Sequence, residues 1–370
     1  MIAMQYTEGY ILDNRYLLKS LIGSGSFGEV WVAEDQQTDL EVAVKIYISM
    51  DHQGLIDFKK EFQVSFELNH TNLLHAYYLG TESRENRVYL VMPLCPNGSV
   101  SKHIGKMEEK SIWKFIKDVS SGLAYLHSLN PPIIHQDIKP DNILISKDGD
   151  YLITDFGISK QLRSTLKKSA NHLNSAGAVS YMGPERFSKQ YQAVKASDIW
   201  SLGATVFELA SGELPFCGMG GGMLNNGAEI PNLPEEFSPR LCMVVASCLA
   251  KETWERPTAK QLEDYASAII AGQNPEPAWN CPSALELLKD NESQKQSAMK
   301  ETAPLNSVKA KSANQTVPIG ANGVDHPVSR DIPAGFNEPS EKKNGGMKYL
   351  PWLMAAVLGL AVGVLINLFV

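Results

Sequence analysis

The chain has 370 residues and a formal net charge of −7, which leaves room for one large domain or two modest ones and argues against a nucleic-acid partner. An apolar fraction of 44% is enough for a real core. The five cysteines, Cys95, Cys217, Cys242, Cys248 and Cys281, form no Cys-x-x-Cys pair, which speaks against a zinc site or disulfide framework and for reduced thiols in a cytosol-facing domain.

No basic-then-apolar signal opens the chain, and residues 1–15 read as a short leader. Tyr16 to Ile22 predicts a first strand, which runs into Gly23-Ser24-Gly25-Ser26-Phe27-Gly28-Glu29-Val30. A Gly-x-Gly-x-x-Gly alone is weak evidence, because dinucleotide-binding folds place it before a helix. Here Val30 to Ala33 continues β-branched and apolar, so a strand, a glycine loop and a second strand are predicted. Such a loop lets backbone N–H groups approach phosphates with no Cβ in the way. Val42 to Ile46 is an apolar strand interrupted by Lys45. A lysine in a buried strand needs a negative partner; a snorkelling edge-strand lysine is the plainer reading. Leu55 to Leu68 has helical spacing, anchored by Phe58, Phe62 and Phe66. Val88 to Met92 predicts a strand ending at Pro93-Leu94-Cys95.

Ile112, Phe115, Ile116, Val119, Leu123 and Leu126 form the apolar stripe of a core helix, with Ser111 as its N-cap. The helix leads to the chemically densest stretch, Ile133 to Gly157. Its two apolar runs, Ile143 to Ile145 and Tyr151 to Ile153, are separated by Lys147-Asp148-Gly149-Asp150, a hairpin signal. Asp137, Lys139 and Asn142 precede the first run, and Asp155 follows the second. The hairpin therefore gathers two carboxylates, an amide and an ammonium, a set suited to a Mg²⁺-bound phosphate. A polar stretch follows from Ser159 to Ser180. Cys217 to Met223 carries enough glycine to read as a mobile loop.

Residues 272–348 are dominated by Pro, Asn, Ser, Lys and Glu, the composition of a disordered linker. Ala284 to Leu288 could form a brief helix. Tyr349 to Val370 is almost wholly apolar; as a helix it would span roughly 33 Å against about 30 Å of hydrocarbon. Lys342, Lys343 and Lys348 precede it and favour a cytoplasmic flank. The expectation is a single-pass C-terminal membrane anchor with the folded domain in the cytoplasm. Ala355, Gly359 and Gly363 lie four apart, a stripe that could pair two helices into a homodimer.

His135-Gln136-Asp137-Ile138-Lys139-Pro140-Asp141-Asn142 and Thr154-Asp155-Phe156-Gly157 resemble the catalytic loop and metal-binding motif of the eukaryotic-type serine/threonine protein kinases. The resemblance covers roughly residues 16–270. It implies an α+β, two-lobed fold with an N-lobe at 16–95 and a C-lobe at 96–271, the nucleotide lying in the cleft. By that resemblance Asp137 would accept the proton of a substrate hydroxyl, and Lys139 would neutralise the migrating phosphoryl group. Asn142 and Asp155 would ligate Mg²⁺, with Mn²⁺ as a substitute. Lys45 would hold the α- and β-phosphates of ATP and pair with Glu61, Glu67 being the rival. Ile22, Gly23, Ser24, Gly25, Ser26, Phe27, Gly28, Glu29 and Val30 would cover the nucleotide. Ala43, Met92, Pro93, Cys95 and Leu144 would line the adenine pocket, the hinge using the carbonyl of Pro93 and the N–H of Cys95. Asp198 would brace the catalytic loop and Arg256 would pair with Glu185. Lys139 is what serine/threonine members carry there, so proteins are the implied substrates.

Four positions depart from the pattern. Ser65 stands on a helix face that is usually apolar. Gln136 replaces an arginine that grips a phosphate on the activation segment. Gly183 replaces an alanine, adding flexibility. Gly177-Ala178 replaces a Gly-Thr pair whose hydroxyl contacts the catalytic Asp. Activity without strict dependence on activation-segment phosphorylation is the expectation. A pseudokinase, binding nucleotide at a membrane without transfer, is the alternative function; a small-molecule kinase is a further one.

Overall fold

The computed structural model describes residues 6–25, 28–47, 55–56, 59, 62, 66–82, 87–155, 179–188, 191–282 and 284. The chain divides into the units Met1–Pro304 and Leu305–Val370, and every described residue belongs to the first. The expected span at 349–370 lies outside the described residues. Among those described, no helix is long and apolar enough to cross a membrane.

Six antiparallel strands build the N-lobe: β1 (Ile11–Leu12), β2 (Tyr16–Gly25), β3 (Gly28–Asp35), β4 (Leu40–Tyr47), β5 (Tyr78–Glu82) and β6 (Arg87–Pro93). They lie in the order β1-β2-β3-β4-β6-β5. Alternation along a strand sends successive side chains to opposite faces, and β4 and β6 use both. Val42, Val44 and Ile46 join Tyr89 and Val91 in one apolar cluster. Ala43 and Tyr47 join Val88, Leu90 and Met92 in a second. Lys45 falls between Ala43 and Tyr47 in this alternation, so register alone turns it toward the second face.

The stretch read as a leader is partly built into this lobe. Tyr6 and Leu12 are buried in the first cluster, and Arg15 donates to both carboxylate oxygens of Asp35 at 2.8 and 2.7 Å. That guanidinium holds the Asp35 carboxyl down at about 2.

The C-lobe rests on α1 (Glu109–Ser128) and α2 (Lys195–Ser211). The predicted stripe of α1 is buried throughout. Ser111 is not its N-cap, however. Glu108 takes that place, because the N–H groups of Ser111 and Ile112 donate to its carbonyl. The first turn is then fixed by Glu109, whose carboxylate accepts from Trp113 Nε1 and from the Ser238 N–H and hydroxyl. In α2 every residue from Ser197 to Ala210 is buried, the signature of a helix enclosed on all sides. Two further helices follow the short α3 (Gly222–Asn225): α4 (Pro239–Cys248), capped by the Ser238 hydroxyl, and α5 (Ala259–Ile270), opened by a Thr258/Gln261 capping box. The predicted hairpin forms between β7 (Ile143–Ile145) and β8 (Tyr151–Ile153), with Ile143 opposite Ile153 and Ile145 opposite Tyr151, and Gly149 at φ +83° in its turn.

Two expectations change. The glycines of Cys217 to Met223 serve close packing rather than mobility. A Cβ on Gly220 would lie 2.3 Å from the Val179 carbonyl oxygen, and one on Gly221 2.5 Å from Pro184 N. Gly221 N–H donates to the Met182 carbonyl at 2.8 Å, and the Ser180 hydroxyl donates to that of Gly218 at 2.7 Å. The folded lobe also continues past Ala271 into the expected linker. Trp279, Cys281 and Ala284 are buried in the C-lobe core, and Arg240 and Gln261 donate to the carbonyls of Pro275 and Ala278. Trp279→Ala in the full chain is expected to destabilise the lobe by about 3–5 kcal/mol, the usual cost of deleting a buried tryptophan. A thermal midpoint matching wild type would show that this extension carries no packing energy.

Candidate active site

The loop from His135 to Asn142 is a strained segment gripped by a buried carboxylate. Gln136 has φ +66°, a left-handed conformation unfavourable for a residue with a Cβ. Asp198, fully buried in α2, accepts from His135 N–H at 2.8 Å, Gln136 N–H at 2.7 Å and His127 Nε2 at 2.9 Å. The His135 ring sits 2.9 Å from the Thr154 carbonyl through Nε2. A carbonyl only accepts, so the proton is on Nε2, and Nδ1 is left to accept the Asp137 N–H at 3.3 Å. One imidazole thus ties the loop to the end of β8.

The side chains expected to share a site form two groups, tied through the main chain by the Thr154 N–H, which donates to the Asn142 carbonyl at 2.9 Å. Asn142 closes the short turn Pro140–Asn142. Its Nδ2 donates to the Asp137 main-chain oxygen at 2.7 Å and to Oδ2 at 2.9 Å. Lys139 Nζ lies 3.4 Å from the same Oδ2. Asp155, at φ +60° beyond β8, accepts from Lys45 Nζ at 2.5 Å, although the two are 110 residues apart. The expected Glu61 partner lies outside the described residues, and its rival Glu67 is exposed. Ser65, Phe156, Gly157 and the segment from 158 to 178, including Gly177-Ala178, also lie outside them.

The adenine-side residues cluster as well. Ala43 and Met92 are register partners between β4 and β6. Val30, Leu144, Leu94 and Cys95 pack against their cluster. Burial pushes the Cys95 thiol pKa up, so it behaves as an inert apolar group. Pro93 pairs with Val42 at the end of β6. Ile22 lies at a register shift between Leu21 and Gly23 and is exposed. Gly25 and Gly28 are register partners, flanking Ser26 and Phe27, which are not among the described residues. Gly28 is required by packing: at φ +139°, a Cβ there would sit 1.9 Å from the Ile46 carbonyl oxygen. The Glu29 carboxylate accepts from Trp31 Nε1 at 2.9 Å, and Gly23 and Ser24 pair with Val30 and Glu29.

These residues fit a phosphate-bound Mg²⁺. With its nitrogen committed to Asp137, Asn142 has its amide oxygen left as a ligand, and Asp155 adds a carboxylate. Both are hard oxygen donors of the kind Mg²⁺ takes, in a shell that phosphate oxygens and water complete. Among the described residues no group of three or more His, Cys, Asp or Glu forms a closed metal cage.

Outside the cleft, Arg256 Nη2 and Nη1 bind Glu185 Oε2 and Oε1 at 2.8 and 3.1 Å. Gly183 lets that carboxylate fold back, since a Cβ would lie 2.5 Å from Oε2. Three polar features were not singled out in the sequence. The Tyr181 hydroxyl donates to Glu208 Oε2 at 2.6 Å, a carboxyl whose pKa burial pushes up. Asn72 Nδ2 donates to the Tyr151 carbonyl at 3.1 Å. Arg186 Nη1 donates to the Gln136 carbonyl at 2.9 Å. Glu208 alone left a signal, as a carboxylate within the apolar run Ala204 to Ala210 of α2.

Residues 16–266 match the family described as "Protein kinase domain". The chain is 29% identical to the serine/threonine-protein kinase PrkC of Bacillus subtilis, over 94% of this chain and 51% of that protein. It is 33% identical to the serine/threonine-protein kinase dst1 of Dictyostelium discoideum, over 68% and 34%. It is 31% identical to the serine/threonine-protein kinase PknA of Mycobacterium tuberculosis, over 72% and 64%. The matched part is less than two thirds of each relative's own length. With the loop, hairpin and lysine arranged as described, the chain belongs to the protein kinase family, its residues 16–266 forming an ATP-dependent serine/threonine kinase domain.

Proposed function

We propose that the chain is a membrane-anchored kinase that transfers the γ-phosphoryl group of ATP to serine or threonine hydroxyls of proteins, its own included. The observation that carries this reading is the contact between Lys45 and Asp155, which joins β4 of the six-stranded sheet to the residue two past the end of β8. An ammonium and a carboxylate so placed can bind a triphosphate and its counter-ion together. Asp137, oriented by Asn142 and Lys139, takes the hydroxyl proton of the substrate. Lys139 offsets charge on the phosphoryl group as it moves. Bound Mg²⁺ supplies charge neutralisation on the phosphate oxygens. Most of the rate enhancement then comes from positioning and fixed charge.

Anchoring is supported by the apolar run 349–370 and the lysines preceding it. Pairing of two copies through the small-residue stripe would favour mutual phosphorylation. Incubation of the full chain with radiolabelled ATP and a generic protein substrate, followed by phosphoamino-acid analysis, is expected to yield phosphoserine or phosphothreonine. Nucleotide binding without label transfer would favour the pseudokinase. In parallel, the full chain should float with vesicles and a version lacking 349–370 should not; equal behaviour of the two would remove the anchor.

A further inference from the structure

The carbonyl of Gln136 is bound by a guanidinium that the phosphoryl-transfer chemistry does not use. Arg186 stands on the turn Pro184–Phe187, where its own N–H donates to the Gly183 carbonyl at 3.0 Å. Its guanidinium carbon lies 5.2 Å from the centre of the Tyr191 ring, and Nη1 reaches the Gln136 oxygen at 2.9 Å. The same residue's N–H is held by Asp198. A left-handed, non-glycine residue is therefore clamped at both its N–H and its carbonyl, immediately before Asp137. The turn is itself locked, because the neighbouring Glu185 is bound by the buried Arg256.

We infer that Arg186 is a positioning residue for phosphoryl transfer: it sets the Gln136–Asp137 peptide plane, and with it the direction of the Asp137 carboxylate. The inference rests on the reading of Asp137 as the base. An arginine at position 136 would anchor this loop through its side chain to a phosphate on the activation segment. Gln136 has no such charge, and the loop is instead held through its main chain by a cation from the segment that follows. Loss of the charged donor frees a strained peptide to relax, and small displacements of a reacting group are costly in rate.

The full-length chain and its Arg186→Met, Arg186→Lys, Tyr191→Leu and Asp137→Asn variants would be compared for kcat, for KM with ATP and for thermal midpoint. Arg186→Met should lower kcat about 10–100-fold, the scale of a small misplacement, while KM for ATP and the midpoint stay near wild type. Arg186→Lys should recover much of kcat, since an ammonium can donate to the same carbonyl. Tyr191→Leu, which takes away the ring beside the guanidinium but leaves Arg186 its charge and its reach to the Gln136 carbonyl, should keep kcat. Wild-type kcat in Arg186→Met would overturn the inference. So would a loss matched by Tyr191→Leu, or one accompanied by an equal fall in midpoint and ATP affinity. Asp137→Asn tests the base separately: turnover retained there removes the premise whatever Arg186 does.

Discussion

Asp137→Asn is expected to lower kcat by about 10²–10⁴-fold, the range associated with losing a general base, while the protein stays folded and binds ATP. The geometry explains the separation. The Asp137 carboxylate is not a structural keystone: Asn142 Nδ2 also bonds the Asp137 main-chain oxygen at 2.7 Å, and the loop is held by Asp198 through the N–H groups of His135 and Gln136. An asparagine oxygen can still accept from Asn142, so little folding energy is lost. What disappears is the negative charge able to take a proton from a hydroxyl. Lys139 loses its counter-charge as well, which should raise KM for the protein substrate more than that for ATP. Single-turnover label transfer at saturating ATP measures the effect, and transfer at the wild-type rate would mean that another group accepts the proton.

Arg256→Met should destabilise the C-lobe by about 3–5 kcal/mol, the cost of breaking a buried ion pair on one side. In a domain of this size that lowers the thermal midpoint by roughly 10 °C. The Arg256 side chain has no exposed surface. It donates to Glu185 and to the carbonyls of Ala196, Ala250 and Lys251, and these partly buried acceptors would lose their cation. The pair also predicts an acid limb. Burial raises the Glu185 pKa, but the bonds from Arg256 outweigh it and hold the carboxyl below its ordinary 4.5. A depressed folded-state pKa contributes stability that is full above the unfolded value and is lost as pH falls through the folded one. Unfolding midpoints should therefore fall below about pH 4.5 more steeply in wild type than in Glu185→Gln, which has no proton to take up. Parallel curves for the two proteins would show that the pair does not titrate with unfolding.

Much of the fold was legible because its signals are local. The β-branched and apolar runs of β3 and β4, the stripe of α1 and the Asp-Gly turn between β7 and β8 each specify an element with no help from distant residues. The misreadings came where a local rule met a tertiary contact. Ser111 resembles an N-cap, yet Glu109, braced by Ser238, starts the helix earlier. The glycines at 220 and 221 suggest flexibility, and only their neighbours Val179 and Pro184 show that they serve close approach. Residues 272–282 have a linker's composition, while Trp279 and Cys281, buried in the C-lobe core, supply the apolar contacts that order them.

The site divides along the same line. Residue types at fixed offsets within one hairpin were enough to place Asp137, Asn142 and Asp155 together, because a two-stranded turn has little freedom. The pairing of Lys45 with Asp155, the buried Asp198 under the loop and the reach of Arg186 to Gln136 depend on how separate elements pack. No spacing along the chain encodes a contact between residues that are 110 positions apart. Chemistry was therefore written in short motifs, and its alignment was decided by the burial of α2 and the shared face of β4 and β6.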